Sequence, residues 1–131
     1  MDEPTNIPQT ILVVEDEVSM RKLLVRVLQQ AGFTVIEAGN GKEGLQTATS
    51  QKPALIVTDN FMPIMNGVDM VAALRKDPAW GQKVPVILMT NINDMDAVNK
   101  SLQAGGIDYL MKSDIQLEQV ATLAKQRLGA K

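Results

Sequence analysis

Two rhythms of apolar residues run through this chain. The first is short and unbroken. Ile11-Leu12-Val13-Val14 runs into Glu15-Asp16, and Leu55-Ile56-Val57-Thr58 ends on Asp59. Val86-Ile87-Leu88-Met89 ends on Thr90, and Tyr109-Leu110-Met111 ends on Lys112. Unbroken apolar runs of this length suit strands buried on both faces. They predict strands near residues 10–15, 54–59, 85–90 and 108–112. The segment Thr34-Val35-Ile36-Glu37-Ala38 predicts a weaker strand, nearer a sheet edge.

The second rhythm has helical spacing. Met20, Leu24, Val27 and Leu28 form one apolar stripe, and Gly32 follows it as a stop signal. Gly44, Leu45 and Ala48 mark a short second helix, and Val71 and Leu74 anchor a third. Val98 and Leu102 anchor a fourth, and Leu117, Val120, Ala121, Ala124 and Leu128 a fifth. Strand and helix therefore alternate. That pattern predicts an α/β fold in three layers, a five-stranded parallel sheet with helices on both faces. Residues 1–9 carry two prolines and no periodicity and are expected to form a loose tail, leaving residues 10–128 as one domain. No repeat, low-complexity stretch or linker interrupts it.

Composition narrows the chemistry. At 131 residues the chain has the bulk for one core. Its formal net charge is -2 and no basic face stands out, so nucleic-acid binding has no electrostatic support. The absence of cysteine excludes disulfides and thiol chemistry. The absence of histidine excludes a Ser-His-Asp triad, histidine metal sites and a phosphohistidine on this chain. The apolar runs fall far short of the roughly 20 residues of a membrane helix. The start, Met1-Asp2-Glu3-Pro4-Thr5-Asn6, is acidic and polar and shows no secretory signal. A soluble cytoplasmic protein that engages no membrane is expected.

In an open parallel sheet, ligands bind beyond the carboxyl ends of the strands. The polar ends of the apolar runs would meet there: Glu15, Asp16 and Asp59 as acids, Thr90 as a hydroxyl and Lys112 as an amine. This set suits a divalent metal and a phosphoryl group. Each residue also has a plainer reading. Asp16 could cap the first helix, Thr90 the fourth, although Asn93 or Asp94 suits that role better, and Lys112 could be an exposed strand-end lysine. Pro63 and Asn66-Gly67 read as loop and turn chemistry, and Met89 and Met111 as core. The joint pattern, unlike its single members, is hard to reconcile with caps alone.

From about Thr10 to Leu128 the chain resembles the response-regulator receiver domains, the CheY-like family of two-component signalling. The matching segments are Ile11-Leu12-Val13-Val14-Glu15-Asp16, Asp59-Asn60-Phe61-Met62-Pro63 with Asn66-Gly67, Pro85-Val86-Ile87-Leu88-Met89-Thr90, and Asp108-Tyr109-Leu110-Met111-Lys112. The resemblance implies a flavodoxin/CheY-like (βα)5 fold with strand order 2-1-3-4-5. It implies that Asp59 accepts a phosphoryl group from a partner phosphohistidine, on a histidine kinase or a histidine phosphotransfer protein. It implies Mg²⁺ (or Mn²⁺) held by Glu15, Asp16, Asp59 and the backbone carbonyl of Phe61, with Glu15 reaching the ion mostly through water. Thr90 and Lys112 would contact the phosphoryl oxygens. Tyr109 matches the strand-five aromatic that moves with the threonine, so Thr90 and Tyr109 would form the switch. The readout face would be the fourth helix, fifth strand and fifth helix, offered to a downstream target protein. The chain would catalyse only its own phosphorylation and dephosphorylation. Kinase docking would use Val18, Ser19, Met20 and Arg21 with Ser113, Asp114 and Ile115.

Three positions depart from the family. Ser113, not proline, follows Lys112. A cis bond before a non-proline residue costs about 2.5–4 kcal/mol, so a trans Lys112-Ser113 bond is expected. A capping box between Ser113 and Gln116 is expected at the last helix, and the reach of Lys112 is left open. Asn91 follows Thr90 where a smaller residue is common, and Phe61 lies two residues after Asp59. Those two positions tune phosphoryl lifetime in the family, and here they predict a long-lived acyl phosphate. The leading reading is a stand-alone receiver. Another is a receiver from a longer transcription factor or hybrid histidine kinase, its output domain lying outside this chain. An aspartyl-phosphate phosphohydrolase would resemble a first-strand Asp-x-Asp pattern, where this chain has Glu15-Asp16-Glu17. A flavodoxin-like cofactor binder would need a phosphate loop where Glu15-Asp16-Glu17-Val18 stands.

Overall fold

The apolar runs become a parallel sheet, and the order of its strands decides where each helix goes. The computed structural model describes residues 9–90, 107–112 and 116–129. Its strands are β1 (Thr10–Val14), β2 (Thr34–Ala38), β3 (Leu55–Asp59), β4 (Val86–Thr90) and β5 (Ile107–Met111). Its helices are α1 (Val18–Gln30), α2 (Gly41–Gln51), α3 (Gly67–Leu74) and α4 (Leu117–Leu128), the last being the fifth helical pattern of the sequence. The expected helix through Val98 and Leu102 lies outside the described residues, as does most of the expected N-terminal tail.

All strand pairs are parallel, and the sheet order is β2-β1-β3-β4-β5. From β1 the chain steps one way to β2, then returns past β1 to β3 and onward. Right-handed crossovers then place α1 on one face and α2 and α3 on the other. The packing agrees. Ile11, Val13, Val57, Ile87 and Met89 pack with Leu24 and Leu28 of α1 and Val120 and Ala124 of α4. The alternate positions Leu12, Val14, Ile56 and Val86 pack with Ala48 of α2 and Met70, Val71 and Leu74 of α3. Each inner strand thus spends its period-two alternation on two cores. Every residue of β3 and β4 is buried, whereas β2 is partly exposed at one edge and β5 is half-buried at the other.

Local chemistry ends the helices as the spacing requires. After α1, the Gly32 N–H donates to the Gln29 carbonyl at 3.0 Å and the Phe33 N–H to the Leu28 carbonyl at 3.1 Å, a Schellman pair. Asn40 caps α2 by accepting from the Glu43 N–H, and Asn66 caps α3 by accepting from the Asp69 N–H, each at 2.8 Å. The expected Ser113–Gln116 box is corrected at α4. Gln116 is itself the N-cap, so it cannot sit three positions into the helix, and its N–H donates to Gln119 Oε1 at 3.1 Å. Among the described residues no helix is long and apolar enough to cross a membrane.

Leu23 and Leu24 are neighbours that α1 turns to different sides: Leu24 is fully buried and Leu23 is 47% exposed. Leu24→Ala is expected to destabilise the domain by about 2–5 kcal/mol, and Leu23→Ala to stay within about 0.5 kcal/mol. Urea unfolding of both variants checks this, and equal losses would contradict the packing.

Candidate functional site

The carboxyl ends of β1 and β3 lie side by side where the chain reverses its direction across the sheet, so the residues that follow them share one crevice. Glu15 prolongs β1: its N–H donates to the Ala38 carbonyl at 3.1 Å. Its carboxylate is fully buried. Oε2 accepts from the Glu17 N–H at 3.1 Å. Oε1 is buried without a hydrogen-bond partner and stands 3.3 Å from Lys112 Nζ. Asp16 does not cap α1. The N-cap is Glu17, whose side chain makes no capping bond. Asp16 is exposed, and one of its oxygens lies within 4.8 Å of oxygens on Glu15 and Asp59.

Asp59 ends β3 and is buried. Its Oδ1 accepts from the Asn60 N–H at 2.8 Å and its Oδ2 from Lys112 Nζ at 2.9 Å. The start of α3 presses on its backbone: a Cβ on Gly67 would lie 2.3 Å from the Asp59 carbonyl oxygen, so only glycine fits. Lys112 follows β5, and its N–H donates to the Thr90 carbonyl at 2.8 Å. Parallel pairing therefore delivers the lysine across β4 to the two acids. Thr90 ends β4 and is buried. Tyr109 pairs with Leu88, as Met111 does with Thr90, so Tyr109 and Thr90 fall on one face of the sheet. Phe61 lies in the loop after Asp59 and is 61% exposed. Asn91 and the Lys112-Ser113 bond lie outside the described residues.

Burial drives the electrostatics. It pushes the Asp59 carboxyl above its ordinary value; Lys112 and the Asn60 amide oppose the shift without cancelling it, and Asp16 adds to it. Burial also raises Glu15, helped by the charge of Asp59 and opposed by the Glu17 amide and Lys112. For Lys112, burial works against the charge, but Asp59 and Glu15 outweigh it and hold the ammonium on. Among the described residues three carboxylates thus face the Lys112 ammonium, and the buried Glu15 Oε1 has only an ion-pair contact with it at 3.3 Å. With three acids to one ammonium, the cluster has negative charge to offer a further cation. Its donors are all oxygen, which suits a hard divalent ion. Glu15, Asp16 and Asp59 could hold a metal.

Two supporting residues were not given these roles by the sequence. Asn60 is buried and ties the end of β3 to α3: its carbonyl accepts from Gly67 N–H at 2.8 Å and its Oδ1 from Val68 N–H at 3.1 Å. Its signal was a polar residue directly after a buried strand. Arg21, expected on a docking surface, also serves as a strut. Its Nη1 donates to the Glu15 carbonyl at 2.8 Å and its Nε to Glu37 Oε1 at 3.1 Å. Met20 turns to the core, leaving Val18 and Ser19 as the exposed members of that set. Ser113, Asp114 and Ile115 lie outside the described residues.

A family profile, response regulator receiver domain, matches residues 11–124. The chain belongs to that family. The receiver is 38% identical over 121 residues to the transcriptional regulatory protein PrrA of Mycobacterium tuberculosis, a match covering 92% of this chain and 50% of PrrA. It thus spans about half the length of the curated relatives it matches. It is also similar to the receiver domain of a signal transduction histidine kinase from Syntrophus aciditrophicus, at TM-score 0.82 and 31% identity over 94% of this chain and 92% of that one. The receiver domain of sensor histidine kinase PA1611 from Pseudomonas aeruginosa PAO1 gives TM-score 0.82 and 26% identity over 95% of this chain and 100% of that one. That structure has a magnesium ion coordinated in its active site cleft. The fold and the strand order expected from the sequence are therefore those of the family.

The raised carboxyls set the sign of a pH effect. A carboxyl with a higher folded pKa binds protons more readily in the folded chain. Its contribution to stability is complete below the unfolded carboxylate range, near pH 4, and is lost as pH rises through the folded values. In metal-free buffer, Asp59→Asn is therefore expected to raise the melting temperature at pH 7.5 by a few degrees, and to change it less at pH 4.5. Thermal unfolding followed by circular dichroism checks this; a lower melting temperature at pH 7.5 would refute it.

Proposed function

We propose that the receiver accepts a phosphoryl group on Asp59 from a phosphohistidine of a partner kinase or phosphotransfer protein, with Mg²⁺ (or Mn²⁺) as its ion. The observation that carries this reading is the cluster itself: an Asp59 carboxylate bonded to Lys112 at 2.9 Å, with Glu15 and Asp16 beside it. Glu15, Asp16, Asp59 and the Phe61 carbonyl would hold the ion. When bound, it would neutralise charge on the acids and on the phosphoryl oxygens.

The residues of the chain do the rest. A carboxylate is a weak nucleophile, and it becomes competent where charge on the transferring group is stabilised. The Asn60 N–H and Lys112 hold the Asp59 carboxylate in one orientation. One of its oxygens bonds to phosphorus as the P–N bond to the donor imidazole breaks. Lys112 then exchanges its bond to Asp59 for one to a phosphoryl oxygen, and Thr90 donates its hydroxyl to another. The added charge, about -1.5 to -2, biases the Thr90–Tyr109 pair toward a second state. The readout surface includes β5 and α4, with the expected fourth helix beyond the described residues. Such a receiver turns over no external substrate and works in the cytoplasm.

Two kinds of output fit the relatives. PrrA is a transcriptional regulatory protein of which the match covers 50%, which favours a receiver acting on an attached output domain. A separate target protein is the alternative. Phe61 borders the acceptor and slows attack by water on the acyl phosphate.

Acetyl phosphate with Mg²⁺ is expected to label the wild type, and Asp59→Asn and Asp59→Ala to lower the labelling rate by at least about 100-fold. Chelation by EDTA should abolish labelling. Intact-mass spectrometry reads all three, and persistent label on both variants would overturn the assignment. Phe61→Ala is expected to shorten the half-life of the phosphorylated protein, followed by loss of the label over time; an unchanged half-life would remove Phe61 from that role.

A further inference from the structure

The loop from Asp59 to α3 is pinned at two places, each by a residue remote in sequence. The first is Asn60, whose N–H is shared between Asp59 Oδ1 at 2.8 Å and the Met89 carbonyl at 3.2 Å. The second is Met65, whose carbonyl accepts from the Gly41 N–H at 3.0 Å. Gly41 is the first residue of α2, where backbone donors have no partner within the helix. Between the pins the chain folds back through a γ-turn. The Met65 N–H donates to the Pro63 carbonyl at 2.8 Å around Ile64, which sits at φ 73. A β-branched residue disfavours that conformation. Ile64 is 76% exposed, so no core contact compensates it. The Gly41 bond to Met65, with Met65 packed against the core, opposes that preference.

The contact at Gly41 is backbone against backbone. A Cβ there would lie 2.2 Å from the Met65 carbonyl oxygen and 2.8 Å from its carbon. Neither atom can swing aside as a side chain can. A methyl group at residue 41 would push Met65 away from α2. The shift would pass forward to Asn66 and Gly67, which packs on the Asp59 carbonyl, and back to Phe61. We propose that Gly41 is a positioning residue for the acceptor loop, setting where Asp59 and the Phe61 carbonyl stand relative to Glu15 and Asp16. This rests on the receiver reading above and adds a residue of α2 to it.

Gly44 provides the control. It is buried on the same helix, but a Cβ there would meet side-chain atoms, Met70 Sδ at 2.7 Å and Val14 Cγ2 at 2.9 Å, and not the loop. Mn²⁺ affinity of the metal-free protein, read from the electron paramagnetic resonance of free Mn²⁺, separates positioning from stability. Gly41→Ala is expected to weaken Mn²⁺ binding about tenfold, while Gly44→Ala stays within about twofold even where its melting temperature falls further. Linkage supplies a test without any variant. If the Gly41–Met65 bond favours the ion, the ion must favour the bond. Saturating Mg²⁺ should therefore slow hydrogen exchange at the Gly41 amide several-fold more than at the Gly44 amide, measured by NMR. Equal affinities for wild type and Gly41→Ala, parallel losses in both glycine variants, or equal slowing at both amides would each overturn the proposal. A wild type that binds no Mn²⁺ would overturn the metal assignment and this inference with it.

Discussion

The Lys112 ammonium, 2.9 Å from Asp59 and 3.3 Å from Glu15, ties together the ends of three strands that are far apart in the chain. Its attraction to the two acids is what makes burying them tolerable. A buried carboxylate without a partner is costly, and a buried pair repays its desolvation only with good geometry and added hydrogen bonds. Here the Asn60 and Glu17 amides supply those bonds. The balance is incomplete, since both acids stay above their ordinary pKa. The site is therefore held short of electrostatic satisfaction by its own fold, and its stability and its chemistry are coupled through the same three side chains.

The sheet makes this arrangement possible. Because helices cover both faces, the inner strands can be apolar along their whole length, and polar residues are placed where the strands stop. The change of direction at β1 leaves a crevice between β1 and β3, and β4 spaces β5 from β3 by one strand width. A lysine side chain can bridge that gap; a shorter cation could not. Around the crevice, supports come from every side. Arg21 braces the Glu15 backbone from α1, Gly67 brings α3 onto Asp59, and Gly41 brings α2 onto the loop between them. These contacts involve backbone atoms, which gives the functional side chains fixed origins.

Much of this was legible beforehand. The unbroken runs marked β1, β3, β4 and β5, and the mixed composition of Thr34–Ala38 marked an edge strand. The helical stripes placed the right residues inward: Leu24 and Leu28 on α1, and Val120 and Ala124 on α4. The residues expected to share a rim do include a compact group in Glu15, Asp16, Asp59 and Lys112. Other features were not legible. Arg21 shares its helix face with the buried Leu24, Val25 and Leu28, and only the positions of Glu37 and of the Glu15 carbonyl on the neighbouring strands make it a strut. The helix start at Gln116 differed from the expected box because one Ser and one Gln at the right spacing cannot reveal which residue first takes helical angles.

The division has a physical basis. Periodicity, strand-end chemistry and turn residues are local, so the amino-acid order by itself determined the elements, the faces they bury and the set of polar groups available at one rim. Distances and burial are global. That Glu15 is wholly enclosed while Asp16, its neighbour, stays open depends on how the sheet is covered. That Lys112 reaches Asp59 without the usual proline after it depends on pairing across β4. That Gly41 admits no side chain depends on a loop more than twenty positions away. These were decided only when the strands took their order and the helices closed on them.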